Sequence, residues 1–212
     1  MTRTVEDISR AIIDAFPTLS PEGQRISLSL YRLLAEGHPV SLHQLSGSTN
    51  FSVDFVRDLI GPWSGIAWDR EDRITGFWGL TLSPTKHRFR VGGHDLFTWC
   101  AWDTLFIPQL LGQDAEVESD CPETGQHISL IIAPGGIKAV HPPGVVLSFV
   151  TPPSSDIQSN VIGTFCCHVH FLRSRDEGEK WISRHPGTFL LQIEEALAVG
   201  ARKNATQYFA VL

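Results

Sequence analysis

The sequence predicts an α+β protein: a winged-helix-like helical module with a hairpin, then a mainly antiparallel sheet domain with flanking helices. Three observations carry this. Apolar residues recur at helical spacing from Val5 to Ile60. A charged turn, Asp69-Arg70-Glu71-Asp72-Arg73, separates two short runs rich in Trp and Phe, the pattern of a hairpin. From His87 onward, short β-branched runs alternate with turns rich in Gly and Pro, which favours antiparallel strands.

Taken in order, Thr4 to Phe16 puts Val5, Ile8, Ile12 and Ile13 on one helical face. Ser20-Pro21 supplies an N-cap and a proline at the first helical position, and Ile26, Leu30, Leu33 and Leu34 continue an apolar stripe up to Gly37. Short helices are expected over Ser41 to Leu45 and Ser52 to Ile60, and hairpin strands over Ile66 to Trp68 and Ile74 to Leu82. Arg88 to Val91 reads as a strand. Leu96 to Leu111 is apolar almost all round and predicts a buried helix, kinked or broken where Pro108 cannot donate to the carbonyl of Thr104. Strands are expected over Ala115 to Glu118, His127 to Ala133, Ile137 to Val140, Val145 to Val150 and Val161 to Leu172, with Thr151 to Asn160 a polar loop. Phe189 to Val199 and Ala201 to Phe209 read as helical. The organisation expected is a module over 1–85 and a second domain over 86–212.

Composition narrows the function. With 212 residues, 42 % of them apolar and 19 % charged, the chain can bury one sizeable core or two small ones. A net charge of −6 disfavours nonspecific binding to nucleic acid or anionic membrane. The winged-helix outline would suggest DNA, but residues 1–85 carry seven Lys and Arg against ten Asp and Glu, a balance of −3. The would-be recognition helix contains Asp54 and Asp58 beside Arg57, whereas a DNA reader needs a basic face. A bracing role is expected instead, with no nucleic acid and no membrane partner. Met1 to Phe16 has no continuous apolar core, so no signal peptide is expected. Four cysteines then read as thiols kept reduced in a cytoplasmic protein.

Three of those cysteines stand at two stations. Cys100 lies in Trp99-Cys100-Ala101-Trp102-Asp103-Thr104, and the doublet in Phe165-Cys166-Cys167-His168-Val169-His170-Phe171. On a helix, Cys100 and Asp103 would share a face. Phe97, Trp99, Trp102, Leu105 and Phe106 would exclude water, raising the Asp103 pKa and fitting it for general-acid work. On a strand, alternation puts Cys166, His168 and His170 on one face and Cys167 with Val169 and Phe171 on the apolar one, so Cys167 reads as core. Rival readings stay open at this point: a zinc site of Cys166, His168 and His170, or a cysteine hydrolase with His168 or His170 as base. Cys121, in Asp120-Cys121-Pro122-Glu123-Thr124-Gly125, reads as structural.

These two motifs, in this order and with this separation, resemble the alkylmercury (organomercurial) lyase family. The likeness runs more weakly from Leu30 through Trp181, Glu194-Glu195-Ala196 and Gly200. It implies a degenerate winged helix followed by a sheet-containing catalytic domain, and protonolysis of the carbon–mercury bond of R–Hg⁺ to R–H and Hg²⁺, in mercury detoxification. By the same resemblance Cys100 and Cys166 match the catalytic, mercury-binding cysteines and Asp103 the catalytic acid and a third, weaker mercury ligand. Cys121 and Cys167 match cysteines without a direct role. Trp102 replaces a common aliphatic residue, and the first 20 or so residues have no firm counterpart.

The chemistry agrees with that implication, because R–Hg⁺ is a soft electrophile that prefers thiolate to water or carboxylate. No cofactor is expected beyond the mercury that enters as substrate and leaves as product. Expected partners are an organomercurial small molecule, then low-molecular-weight thiols or mercuric reductase as Hg²⁺ acceptor, and the chain is expected to be a monomer. The alternative is a non-enzymatic soft-metal (Hg or Cu) binding or sensing protein of the same fold. Retention of Asp103 argues against it, since sequestration needs no proton donor.

Overall fold

The computed structural model describes residues 3–212, so Met1 and Thr2, which the N-terminal reading includes, lie outside the described residues. Four helices come first: α1 (Val5–Ala15), α2 (Pro21–Leu34), α3 (Leu42–Thr49) and α4 (Val53–Ile60). Each begins at a Thr or Ser whose hydroxyl accepts an N–H of the first turn: Thr4, Ser20, Ser41 and Ser52. In α4 Arg57 pairs with Asp54 at 2.6 Å, which neutralises part of the little positive charge this helix has.

Eight strands form one antiparallel sheet: β1 (Ile66–Trp68), β2 (Ile74–Phe77), β3 (Leu80–Thr81), β4 (His87–Val91), β5 (His94–Thr98), β6 (Ala115–Asp120), β7 (His127–Ala133) and β8 (Gly136–His141). Their order is β1-β2-β3-β5-β4-β6-β7-β8, so the hairpin strands of the first 85 residues and those that follow share one sheet. On β4 and β6 alternation is strict. His87, Phe89, Val91, Ala115, Val117 and Ser119 point inward, while Arg88, Arg90, Glu116 and Glu118 face outward. A second sheet has the order β10-β9-β11, built from β9 (Val146–Phe149), β10 (Phe171–Leu172) and β11 (Phe189–Gln192). Helices α5 (Asp103–Leu111), α6 (Ser154–Thr164), α7 (Arg175–Arg184) and α8 (Ile193–Gln207) complete the chain. None of the described helices is long and apolar enough to cross a membrane.

Several expectations are corrected. Leu96 to Leu111 is not one helix: Leu96 to Thr98 finish β5, and α5 starts only at Asp103. The cause is Gly92-Gly93, both at positive φ, which closes a two-residue hairpin and pairs β5 with β4. Helix α5 then runs through Pro108 without a break. Val161 to Leu172 is not a strand. It comprises the end of α6, a 3₁₀ turn over Cys166–His168, and the two residues of β10. The loop expected at Thr151 to Asn160 is largely α6, Phe189 to Gln192 is β11, and α8 continues unbroken through Gly200.

Candidate active site

Cys100 sits in the turn between β5 and α5, and five hydrogen bonds fix that turn. Trp99 N–H donates to Gly79 O (2.8 Å), Thr98 Oγ1 to Cys100 O (2.9 Å) and Thr104 Oγ1 to Ala101 O (2.7 Å). Ala101 N–H donates to Val169 O (3.2 Å), tying the first cysteine station to the second. The fifth bond runs from Cys100 N–H to Asp103 Oδ2 (2.8 Å). Cys100 and Asp103 are therefore brought together by this loop and not by a shared helical face. Asp103 is the first residue of α5, where a carboxylate also meets the positive end of the helix dipole.

Cys166 is delivered from the opposite side. Helix α6 is kinked at Asn160 (φ −161°, ψ 75°) and ends at Phe165, after which the 3₁₀ turn closes with His168 N–H on Phe165 O (3.0 Å). Buried Ser148 clamps this turn from β9. Its Oγ donates to His168 O (2.7 Å) and accepts from His170 N–H (3.0 Å).

The result is one cluster. A thiol sulfur of Cys100, one of Cys166 and a carboxylate oxygen of Asp103 lie within 4.8 Å of one another. Among the described residues this is the one group of three or more Cys, His, Asp or Glu spaced to hold a metal ion. Cys100 is 0 %, Cys166 3 % and Asp103 5 % exposed. Rings that adjoin these residues in the chain pack on one another: Trp102 lies 5.7 Å from Phe165, and Phe16, at the end of α1, lies 6.2 Å from Trp102 and 6.4 Å from Phe165. The Trp102 indole N–H is held by Ala196 O at 2.9 Å, so the large ring is fixed in place.

Burial sets the proton inventory. Desolvation lifts the Asp103 carboxyl to about 7, against the pull of the Cys100 bonds and of Lys203. Burial, the Cys166 thiol and the Asp103 charge push the Cys100 thiol well above its ordinary value. For Cys166 the bond with Cys100 pulls downward, but burial and the neighbouring Asp103 and Cys167 outweigh it. Both thiols are thus protonated near neutral pH, and Asp103 is the group poised to exchange a proton there.

The doublet reading is half corrected. Cys166 faces the cluster as expected, but Cys167 is exposed, with Sγ 3.0 Å from Gly163 O, because a 3₁₀ turn and not a strand sets the two directions. The His168 and His170 side chains make no hydrogen bond to either thiol among the described residues. His170 Nε2 is bonded to Cys167 O at 2.9 Å. Cys121 is buried away from the cluster, its thiol 3.8 Å from a Glu177 carboxylate oxygen.

Sequence reasoning missed three groups behind Asp103. Gly79 (φ +103°) lies so close that a Cβ there would stand 2.5 Å from Asp103 Cγ. Tyr31, on α2, donates to the neighbouring Trp78 O (2.7 Å), and burial pushes its hydroxyl well above its ordinary value. Lys203, on α8, is 2 % exposed. The last was detectable: Ala196, Val199, Gly200 and Lys203 follow helical spacing on a buried face, and a lysine in that series is a signal.

With this geometry in view, the comparisons are specific. The alkylmercury lyase family model matches residues 80–203. The alkylmercury lyase of Staphylococcus epidermidis is 34 % identical over 189 residues, covering 87 % of this chain and 86 % of that protein. The alkylmercury lyase of Streptomyces lividans is 39 % identical over 171 residues, 81 % of this chain and 78 % of that protein. The crystal structure of the mercury-bound form of MerB2 superimposes with a TM-score of 0.74 at 23 % identity, covering 93 % of this chain and 96 % of that one, a likeness of fold. The chain belongs to the alkylmercury lyase family.

Proposed function

We propose that this protein is an organomercurial lyase that cleaves R–Hg⁺ by protonolysis, with Cys100 and Cys166 as mercury-binding thiols and Asp103 as proton carrier. The observation that carries the reading is the dry cluster of two thiols and one carboxyl within 4.8 Å, in a member of this family. Mercury arrives as R–Hg–SR′, since soft cations travel on thiols. The Cys166 sulfur displaces R′S, and the Cys166 proton leaves on R′SH. Cys100 then adds its sulfur to mercury and passes its proton to the Asp103 carboxylate. The second thiolate loads mercury with electron density and makes the carbon more carbanion-like. Asp103 delivers the proton to that carbon, the Hg–C bonding pair becomes the C–H bond, and R–H leaves. Hg²⁺ remains on Cys100 and Cys166 beside the Asp103 carboxylate, until external thiols or mercuric reductase remove it. No oxidation state changes, and no resident cofactor enters the balance.

The reading extends to the organisation of the chain: residues 1–85 as a degenerate winged helix that braces the catalytic residues 86–212, in a cytoplasmic monomer that binds no DNA. Its support is the charge balance of −3 and the packing of Phe16 on Trp102 and Phe165, the neighbours of Asp103 and Cys166 in the chain. Fluorescence anisotropy with duplex DNA at ~150 mM salt should show no micromolar binding. The test of the central reading is benzene release from phenylmercury in excess thiol. Stoichiometric mercury binding without hydrocarbon release would reject the lyase and leave a soft-metal binding protein.

A further inference from the structure

Lys203 makes no hydrogen bond or ion pair with any described residue, although it is 2 % exposed. Its Nζ stands 4.2 Å from the centre of the Phe106 ring and 5.2 Å from that of Phe16, contacts that hold a cation without satisfying its donors. Two adjoining cavities meet at this residue and share Phe16, Leu19 and Gln207. The outer one, about 50 Å³, opens between the end of α1 and α8. The inner one is a narrow extension of about 10 Å³ that reaches Tyr31 and Trp78, whose next neighbour Gly79 lies against Asp103. Gln207 adds the opposite need: its Nε2 donates to Pro17 O at 3.2 Å, which leaves a buried Oε1 with no donor.

A lysine Nζ without an acceptor and an amide oxygen without a donor, lining the same two cavities, ask for one ligand carrying both complements. We propose that these cavities together are a subsite for the α-amino-acid headgroup of a cysteine-type thiol, its carboxylate on Lys203 and its ammonium on Gln207 Oε1. This rests on the lyase reading, because it gives that site its mercury carrier. The thiol so held takes Hg²⁺ away. Two Hg–S bonds to Cys100 and Cys166 break, two to incoming thiols form, and the incoming thiol protons pass to the freed cysteine sulfurs, with no redox change.

The experiment loads the protein by one turnover of phenylmercury, recording benzene, and then follows Hg²⁺ transfer to subsaturating cysteine, cysteamine (no carboxylate) or 3-mercaptopropionate (no ammonium). Each thiol is compared with itself across parent, Lys203→Met, Lys203→Arg and Gln207→Leu, so differences in thiol reactivity cancel. Lys203→Met should slow transfer to cysteine and 3-mercaptopropionate about tenfold or more, and to cysteamine by less than about twofold. Lys203→Arg should keep more of the parental rate with cysteine. Gln207→Leu should slow cysteine and cysteamine but spare 3-mercaptopropionate. Loss that is equal across the three thiols, in either the Lys203 or the Gln207 variants, overturns the subsite. If Lys203→Met does not fold, Lys203→Arg and Gln207→Leu still decide by the same pattern. Absence of benzene in the loading step would reject the lyase reading instead, and the thiol comparison can then be run on protein loaded with Hg²⁺ directly.

Discussion

The backbone N–H of Cys100 donates to Oδ2 of Asp103 across 2.8 Å, so one short turn fixes both a thiol of the cluster and the carboxyl proposed to carry its proton. The bond also separates two functions experimentally. In Asp103→Asn the amide oxygen can still accept from Cys100 N–H, so the turn should hold. An amide has no acidic proton, so benzene release in a single turnover should fall by ~10²–10⁴-fold while phenylmercury capture persists. Cys100→Ser should lose capture as well, because a hydroxyl is a hard, poorly ionised ligand. Cleavage by Asp103→Asn at the parental rate would move the proton to another group.

The cysteine doublet gives the second prediction, now opposite in part to the alternation argument. Cys167 is exposed, so Cys167→Ser should change stability by no more than about 0.5 kcal/mol and leave mercury stoichiometry intact. Cys166→Ser should abolish stable mercury retention, since Cys166 supplies one of the two clustered sulfurs. Urea unfolding and bound-mercury measurement on both variants check this. A large stability loss in Cys167→Ser would mean that its side chain is buried after all.

Much of the site was legible in the sequence because chemistry is written in residue types. Two thiol stations and a nearby acid in apolar surroundings indicated a dry cluster of two thiols and a carboxyl whatever the local backbone. The local backbone was less legible. An apolar run such as Leu96 to Leu111 fits a buried strand and a buried helix equally, and only the Gly92-Gly93 turn and pairing with β4 decide between them. Val161 to Leu172 has strand-like composition, but Ser148 and the kink at Asn160 impose a 3₁₀ turn through tertiary contacts that periodicity does not encode. That difference rotates Cys167 from core to solvent. Lys203 lies far along the chain from Asp103, and only the packing of α8 on α5 brings its charge within reach.

Those two buried charges predict an unusual dependence of stability on pH. Asp103 shifts from 3.8 in the unfolded chain to about 7. Between those values the folded chain holds a proton that the unfolded chain lacks, so its contribution falls as pH rises. Burial lowers Lys203 from 10.5 to about 7, so between those values the unfolded chain holds the extra proton and stability rises with pH. His87, which burial lowers to about 3, runs against Asp103 on the acid side, but it is common to parent and variants and cancels in their difference. Relative to parent, Asp103→Asn should therefore gain stability from about pH 5 to pH 7, and Lys203→Met should lose its relative advantage from about pH 7 to pH 9. Urea titrations at those three values test both signs. Differences that do not vary with pH would mean that neither group is shifted.

Gly79 provides the most local test of how the carboxyl is positioned. Its φ of +103° is strained for any residue with a side chain, and an added Cβ would come within 2.5 Å of both Cγ and Oδ1 of Asp103. The carboxyl cannot retreat easily, since Cys100 N–H holds its other oxygen and α5 fixes its backbone. Gly79→Ala should thus cost about 1–3 kcal/mol in urea unfolding from backbone strain and overpacking. What remains folded should show displaced proton transfer, and a shift of the carboxyl by ~1 Å is enough to slow benzene release by ~10²-fold. Mercury capture by Cys100 and Cys166 should suffer less, because neither sulfur touches the added methyl among the nearest atoms to it. If Gly79→Ala matches the parent in both stability and single-turnover benzene release, the close fit of Gly79 against Asp103 has no part in holding the acid.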